Sequence, residues 1–157
     1  MGVSEARRKG RVFIDECLRG VERGIILREF RVGRVRFDAL LVESERREVI
    51  EGEAAQAFDL TGKDVYVLEF VKGGGLRHLK ECFGEIIKIP YLIEAFQGKV
   101  RVKGFYCILE DVRDEYRRLV EESIEVALKP SRSPLEVKVL TPKDLTETLS
   151  KQLSRDP

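Results

Sequence analysis

The chain has 157 residues, 43% hydrophobic and 36% charged, with a formal net charge of +1. That length suits a single domain, residues 1–157, with a core of its own, and the composition excludes a disordered chain. No apolar run nears the length that spans a bilayer and no secretory leader pattern is present, so a cytoplasmic protein without a membrane partner is expected.

The small net charge hides an asymmetry. Residues 1–36 carry ten Lys/Arg against five acids, and the remainder nineteen against twenty-three. A basic N-terminal third can lie along a phosphate backbone, or it can be a solvated arginine-rich helix face. Asn is absent and Gln occurs three times, a bias that fits a heat-adapted (thermophile) protein rich in ion pairs. Cys17, Cys82 and Cys107 are odd in number and widely spaced, with no C-x-x-C pair. They read as small buried apolar residues in a reducing compartment.

Ser4 is a candidate N-cap, and Val12, Phe13, Cys17, Leu18 and Val21 recur at helical spacing, predicting a helix from Ser4 to Gly24. Ile25 to Val32 and Val35 to Glu43 read as two strands of a hairpin closed by Gly33-Arg34. Alternation puts Arg36, Asp38, Leu40 and Val42 on one face of the second strand, and Val35, Phe37, Ala39 and Leu41 on the other. Residues 44–63 carry no clear pattern beyond a short helical run at Ala54–Phe58 and a turn at Thr61-Gly62-Lys63.

Val65 to Val71 is a strand of β-forming residues ending in Lys72 and three glycines. Leu76, Leu79, Phe83, Ile86, Ile87 and Tyr91 then mark a helix with one apolar stripe, interrupted by Pro90. Val100 to Leu109 is the fourth strand, and the strand–helix–strand order implies that it runs parallel to the third. A helix from Glu110 to about Lys129, punctuation at Pro130 and Pro134, and an edge strand Leu135–Leu140 follow. Thr141-Pro142 opens a last helix ending near Leu153, with proline at its first position.

Two acids stand out against this pattern. Glu69 occupies the middle of the third strand and Asp38 the middle of the second, where apolar residues belong. A carboxylate in such a place is costly unless it is paired or binds a cation. Two of them on neighbouring strands, with a lysine close by, suggest a metal-dependent phosphodiesterase; ion pairs across a hairpin are the plain alternative. Gly73-Gly74-Gly75 lacks the lysine and hydroxyl of a P-loop and reads as a hinge.

In element order and in these two acids, residues 4–109 resemble the restriction-endonuclease-like superfamily, named for its PD-(D/E)XK motif, and within it the RecB-like and archaeal resolvase-like branches. The resemblance implies an α/β fold, a restriction-endonuclease-like mixed sheet of about five strands flanked by helices in the order α-β-β-β-α-β-α-β-α. It implies Mg²⁺ or Mn²⁺ held by Asp38 and Glu69 with a carbonyl near Phe70, and an accessory acid at Glu5 or Glu16. The family's lysine follows its glutamate by two residues; here that place is Val71, so Lys72, or Lys80 on the next helix, is the candidate. The glutamine and tyrosine of RecB-like members are absent from that helix.

DNA is the partner implied, with Arg7, Arg8, Lys9, Arg11, Arg34 and Arg36 as its backbone contacts and a homodimer or partner subunit as a further expectation. The activity implied is phosphodiester hydrolysis of DNA. The displaced lysine keeps open an inactive nuclease-fold protein serving as a nucleic-acid-binding or assembly subunit.

Overall fold

A computed structural model describes residues 2–128 and 135–153, with side chains for residues 10–126 and 135–152. Helix α1 (Gly2–Arg19) leads into an antiparallel hairpin of β1 (Gly24–Val32) and β2 (Val35–Val42). A short strand β3 (Arg47–Ile50), a turn of helix α2 (Gly52–Gln56) and the central strand β4 (Asp64–Val71) follow. Helix α3 (Leu76–Gly84), a 3₁₀ turn (Glu85–Lys88) and α4 (Ile89–Ala95) cross over to β5 (Arg101–Leu109). Helix α5 (Asp114–Leu128), β6 (Glu136–Leu140) and α6 (Pro142–Leu153) complete the order. The expected Lys129, Pro130 and Pro134 features lie outside the described residues.

The sheet is mixed, in the order β3-β1-β2-β4-β5-β6. As the crossover implied, β4 and β5 are parallel, and β6 continues the parallel part as an edge strand. The α/β class therefore holds, with six strands in place of five. The added strand, β3, pairs parallel with β1 from Gly24↔Arg47 to Leu27↔Ile50.

Two apolar layers cover the sheet. Leu79, Cys82, Phe83, Ile89 and Leu92 of α3 and α4 pack on Val65, Val67 and Phe105, while α5 adds Val120 and Ile124 to the same layer. On the opposite face Phe13, Cys17 and Leu18 of α1 and Leu145 and Leu149 of α6 cover Tyr66, Leu68 and Tyr106. These layers supply the main drive for folding, since burial of apolar area is the dominant favourable contribution.

Several expectations need correction. Helix α1 stops before Gly20, not at Gly24, which instead opens β1 with φ +108°. Any Cβ on Gly20 would collide with the Thr146 hydroxyl of α6, so this glycine also lets two helices approach. The stripe from Leu76 to Tyr91 is not continuous: Leu79 and Phe83 are buried, but Ile87 is 71% and Tyr91 54% exposed. The 3₁₀ turn is the reason, because its tighter winding rotates the residues after Gly84 out of register with α3.

The face alternation of the hairpin is also inverted part-way. Phe37 packs with Leu40 and Val42, while Ala39 and Leu41 face the other layer. On β1 the matching pair is Leu27 and Phe30, against Ile26. Glu29 and Asp38 are the two residues missing from an otherwise constant ladder, and Glu29 has φ +52°. One left-handed residue opposite Asp38 thus flips both strands together. The Gln56 side chain fills the gap, donating to the Glu29 carbonyl and accepting from Arg31 N–H, both at 2.9 Å.

Cys17 is free and buried as expected, but Cys82 and Cys107 are joined as a disulfide between α3 and β5. Their Cα atoms lie 5.9 Å apart, within the range that a disulfide bridges. Sequence spacing gave no hint of it, because the crossover alone brings the two together.

Candidate functional site

Strands β2 and β4 pair from Val42↔Val65 to Ala39↔Leu68. One step further the ladder stops, and two carboxylates take over its hydrogen bonds. Asp38 N–H donates to Glu69 Oε2 at 3.4 Å, and Phe70 N–H donates to Asp38 Oδ2 at 2.9 Å. Asp38 and Glu69 therefore stand together at a fork in the sheet, each holding the other strand's backbone. The left-handed Glu29 stands opposite Asp38 at this point.

Glu69 is 2% exposed, projecting beside Val67 and Val71 toward α3 and the 3₁₀ turn. Its cation is neither Lys72 nor Lys80. Lys88, the last residue of the 3₁₀ turn, places Nζ 3.1 Å from Glu69 Oε1. The same ammonium donates to the Arg36 carbonyl at 2.6 Å, pairs with Glu85, and lies 5.7 Å from the centre of the Phe37 ring. One half-buried lysine thus joins β4, the hairpin and its own turn.

The electrostatics of the pair follow from this packing. Burial first, then the Asp38 carboxylate and its hydrogen bonding, push the Glu69 carboxyl up to about 9 against the opposing pull of Lys88. For Lys88 burial disfavours the charge, but the hydrogen bond to Glu85 and the attraction of Glu69 outweigh it and hold the ammonium above its ordinary range. A carboxyl that retains its proton near neutrality through burial beside another acid is one from which a bound cation would displace that proton.

The other expected residues are distributed as follows. Lys72 is exposed and lines a cavity that Asp38 also borders, but among the described residues it makes no ion pair with either acid. Lys80 is exposed on α3 and has no ion pair there. Glu16 is exposed on α1; its neighbour Asp15 turns inward instead and pairs with the buried Arg28. The side chains of Glu5, Arg7, Arg8 and Lys9 lie outside the described residues. Arg11, Arg34 and Arg36 come together around the cavity between α1 and the hairpin, where Arg36 lies 3.8 Å from Asp38. His78 takes no part, receiving only the Gly75 N–H on Nδ1 at 3.3 Å.

Sequence reasoning missed Lys88 and Arg28. The one local signal for Lys88 was Glu85 three residues before it, a spacing that brings side chains together on a helical turn. Arg28 sits inside an apolar strand, as Asp38 and Glu69 do, and the same test of misplaced charge would have found it.

As a donor set the fork offers hard carboxylate oxygens from two residues. No group of three or more His, Cys, Asp or Glu forms a metal cluster among the described residues. A pair of carboxylates is nevertheless what Mg²⁺ commonly takes from a protein, with water and phosphate oxygens completing its shell. No described helix is long and apolar enough to cross a membrane. Compared with known proteins, the chain matches no family model, no curated protein and no solved structure.

Proposed function

We propose that this chain is a restriction-endonuclease-like nuclease that hydrolyses DNA phosphodiesters with Mg²⁺ or Mn²⁺ held by Asp38 and Glu69. The observation that carries the reading is the fork itself: two strand-borne acids at the point where β2 and β4 part, with the Lys88 ammonium on one of them. The element order α1-β1-β2-β4-α3-β5 supports it, being the order the superfamily resemblance implies.

When bound, the ion polarises a phosphate oxygen and lowers the pKa of a water that attacks phosphorus. Asp38 binds through a carboxylate already oriented by Phe70 N–H. Glu69 would hold the ion as a carboxylate, its proton being displaced to solvent on binding. Lys88 takes the role that Lys72 and Lys80 do not fill: its ammonium orients the attacking water and stabilises negative charge growing on the phosphate oxygens. The cations Arg11, Arg34 and Arg36 draw the phosphate backbone toward the fork.

One observation favours the second reading, a binding or assembly subunit without catalysis. Each acid already has a cation, Arg36 for Asp38 and Lys88 for Glu69, so the fork is neutralised without metal. Cleavage of labelled DNA with Mg²⁺ or Mn²⁺, beside Asp38→Ala and Glu69→Ala, separates the two. Metal-dependent cutting lost in both variants supports the nuclease. Intact DNA together with salt-sensitive binding supports the subunit.

A further inference from the structure

Two cavities flank the hairpin tip. One, of about 940 Å³, lies between α1 and the hairpin and has Asp38 in its wall. The other, of about 920 Å³, lies between the hairpin and the 3₁₀ turn with α4, and has Lys88 in its wall. Gly33, Arg34 and Arg36 line both, so the two cavities lie on opposite faces of one hairpin tip.

Their chemistry differs. The α1 side gathers Arg11, Arg28, Arg31, Arg34, Arg36 and Lys72 against only Glu29 and Asp38. Arg31, Arg34 and Lys72 have no ion pair among the described residues, and the Arg28 guanidinium is 5% exposed with no acceptor for Nε. The α4 side instead presents Ile87, 71% exposed, and Tyr91, 54% exposed, with Lys88, Glu85 and Glu94 as its own charges beside the shared Arg34 and Arg36. Taken together as a trough over the tip, the cationic cavity and the exposed apolar and aromatic side chains suit one polymer chemistry: phosphates on one side, bare base faces on the other. Base faces are bare only when unpaired, because in a duplex each is covered by its stacked neighbours.

We infer that the trough across the hairpin tip binds single-stranded nucleic acid, with phosphates on the Arg31/Arg34 side and a base stacked on Tyr91. This specifies the substrate of the nuclease reading and rests on it for the direction of the strand past the fork, but binding itself needs neither metal nor catalysis.

The test is fluorescence anisotropy in EDTA with a labelled oligothymidylate of about 12 nucleotides and a duplex of equal length. The single strand is expected to bind at least about tenfold tighter than the duplex, with Tyr91→Ala weakening it about tenfold and Tyr91→Phe restoring it. Arg31→Ala combined with Arg34→Ala should lower the slope of log affinity on log salt by about 1.4, the share of two single-strand phosphate contacts. All three side chains are exposed, so unchanged thermal melts verify the fold of each variant. Equal or tighter duplex binding, or a Tyr91→Ala variant that binds normally, overturns the inference. Single-strand binding without metal-dependent cutting would keep the trough and remove the nuclease; cutting with no single-strand preference would do the reverse.

Discussion

Lys88 Nζ lies 3.1 Å from Glu69 Oε1, although nineteen residues of helix and turn separate the two in the chain. Lys88 comes from the 3₁₀ turn between α3 and α4, not from β4. A charge brought in from a different element can serve the same oxygen atoms, since electrostatic stabilisation depends on position and not on chain order.

Lys88→Ala should lower the single-turnover cleavage rate by about 100-fold or more, in the range of general acid–base and electrostatic contributions. Lys72→Ala and Lys80→Ala should stay within a few-fold of the parent. Removing the ammonium also leaves the Arg36 carbonyl and the buried Glu69 Oε1 without their donor, so urea unfolding of Lys88→Ala should show a loss of about 1–3 kcal/mol. A rate insensitive to Lys88 would refute its assigned role.

The raised Glu69 carboxyl makes stability depend on pH. Its ordinary value is 4.5 and burial beside Asp38 carries it to about 9, so in this interval the folded protein holds a proton that the unfolded chain releases. Stability from this group is therefore complete below about 4.5 and falls as pH rises toward 9. Thermal melts at pH 5, 7 and 9 should show that decline in the parent and a flatter profile in Glu69→Gln. At pH 9 Glu69→Gln should be the more stable by on the order of 1 kcal/mol, while losing cleavage. Asp144 works at the other end. Burial acts against its charge, but hydrogen bonds from Thr141 and the nearby Arg117 hold its carboxyl below 3.8, so its contribution is lost only as pH falls through that region.

The Cys82–Cys107 bridge predicts a simple alkylation pattern. Without reductant, denatured protein should take up one alkyl group, on Cys17, and three after reduction. Native protein should take up none, because Cys17 is buried and its thiol is pushed up to about 12, chiefly by that burial. Cys82→Ala with Cys107→Ala should lose about 2–4 kcal/mol in urea relative to the oxidised parent. Three alkyl groups on unreduced denatured protein would show that the pair is thiol.

Gln56 supports the hairpin at its irregular point, bonding Glu29 O and Arg31 N. Gln56→Ala should cost about 1 kcal/mol, the net value of such hydrogen bonds near the surface, by chemical denaturation. It should also lower cleavage, because Glu29 stands opposite Asp38. An unchanged rate would separate the bulge from the site.

The hairpin and the crossover were legible because their patterns are local: turn residues at Gly33-Arg34, and apolar runs of strand length around a helical repeat. The two acids were legible as charges in apolar strands. Strand β3 was not, since an edge strand of Arg47-Glu48-Val49-Ile50 looks like a polar loop until β1 pairs with it. Lys88 was hidden for a different reason. A 3₁₀ turn breaks the helical period on which the expected stripe relied, turning Ile87 outward and Lys88 toward β4. The inverted alternation at Asp38 depends on a positive φ at Glu29, a glutamate that nothing in the local pattern marks as left-handed.

Beyond Ala39 the strand β2 has no β4 neighbour, and the remainder of the hairpin projects as a cantilever of which Arg34 is near the free end. Its packing at Phe30 and Phe37 is apolar, and two polar fasteners reach it, the Gln56 amide on β1 and the Lys88 ammonium on the Arg36 carbonyl of β2. That ammonium also holds Glu69, so the hairpin tip and the fork are tied to the same side chain. The fastening of the hairpin and the charge beside Glu69 share a single nitrogen atom.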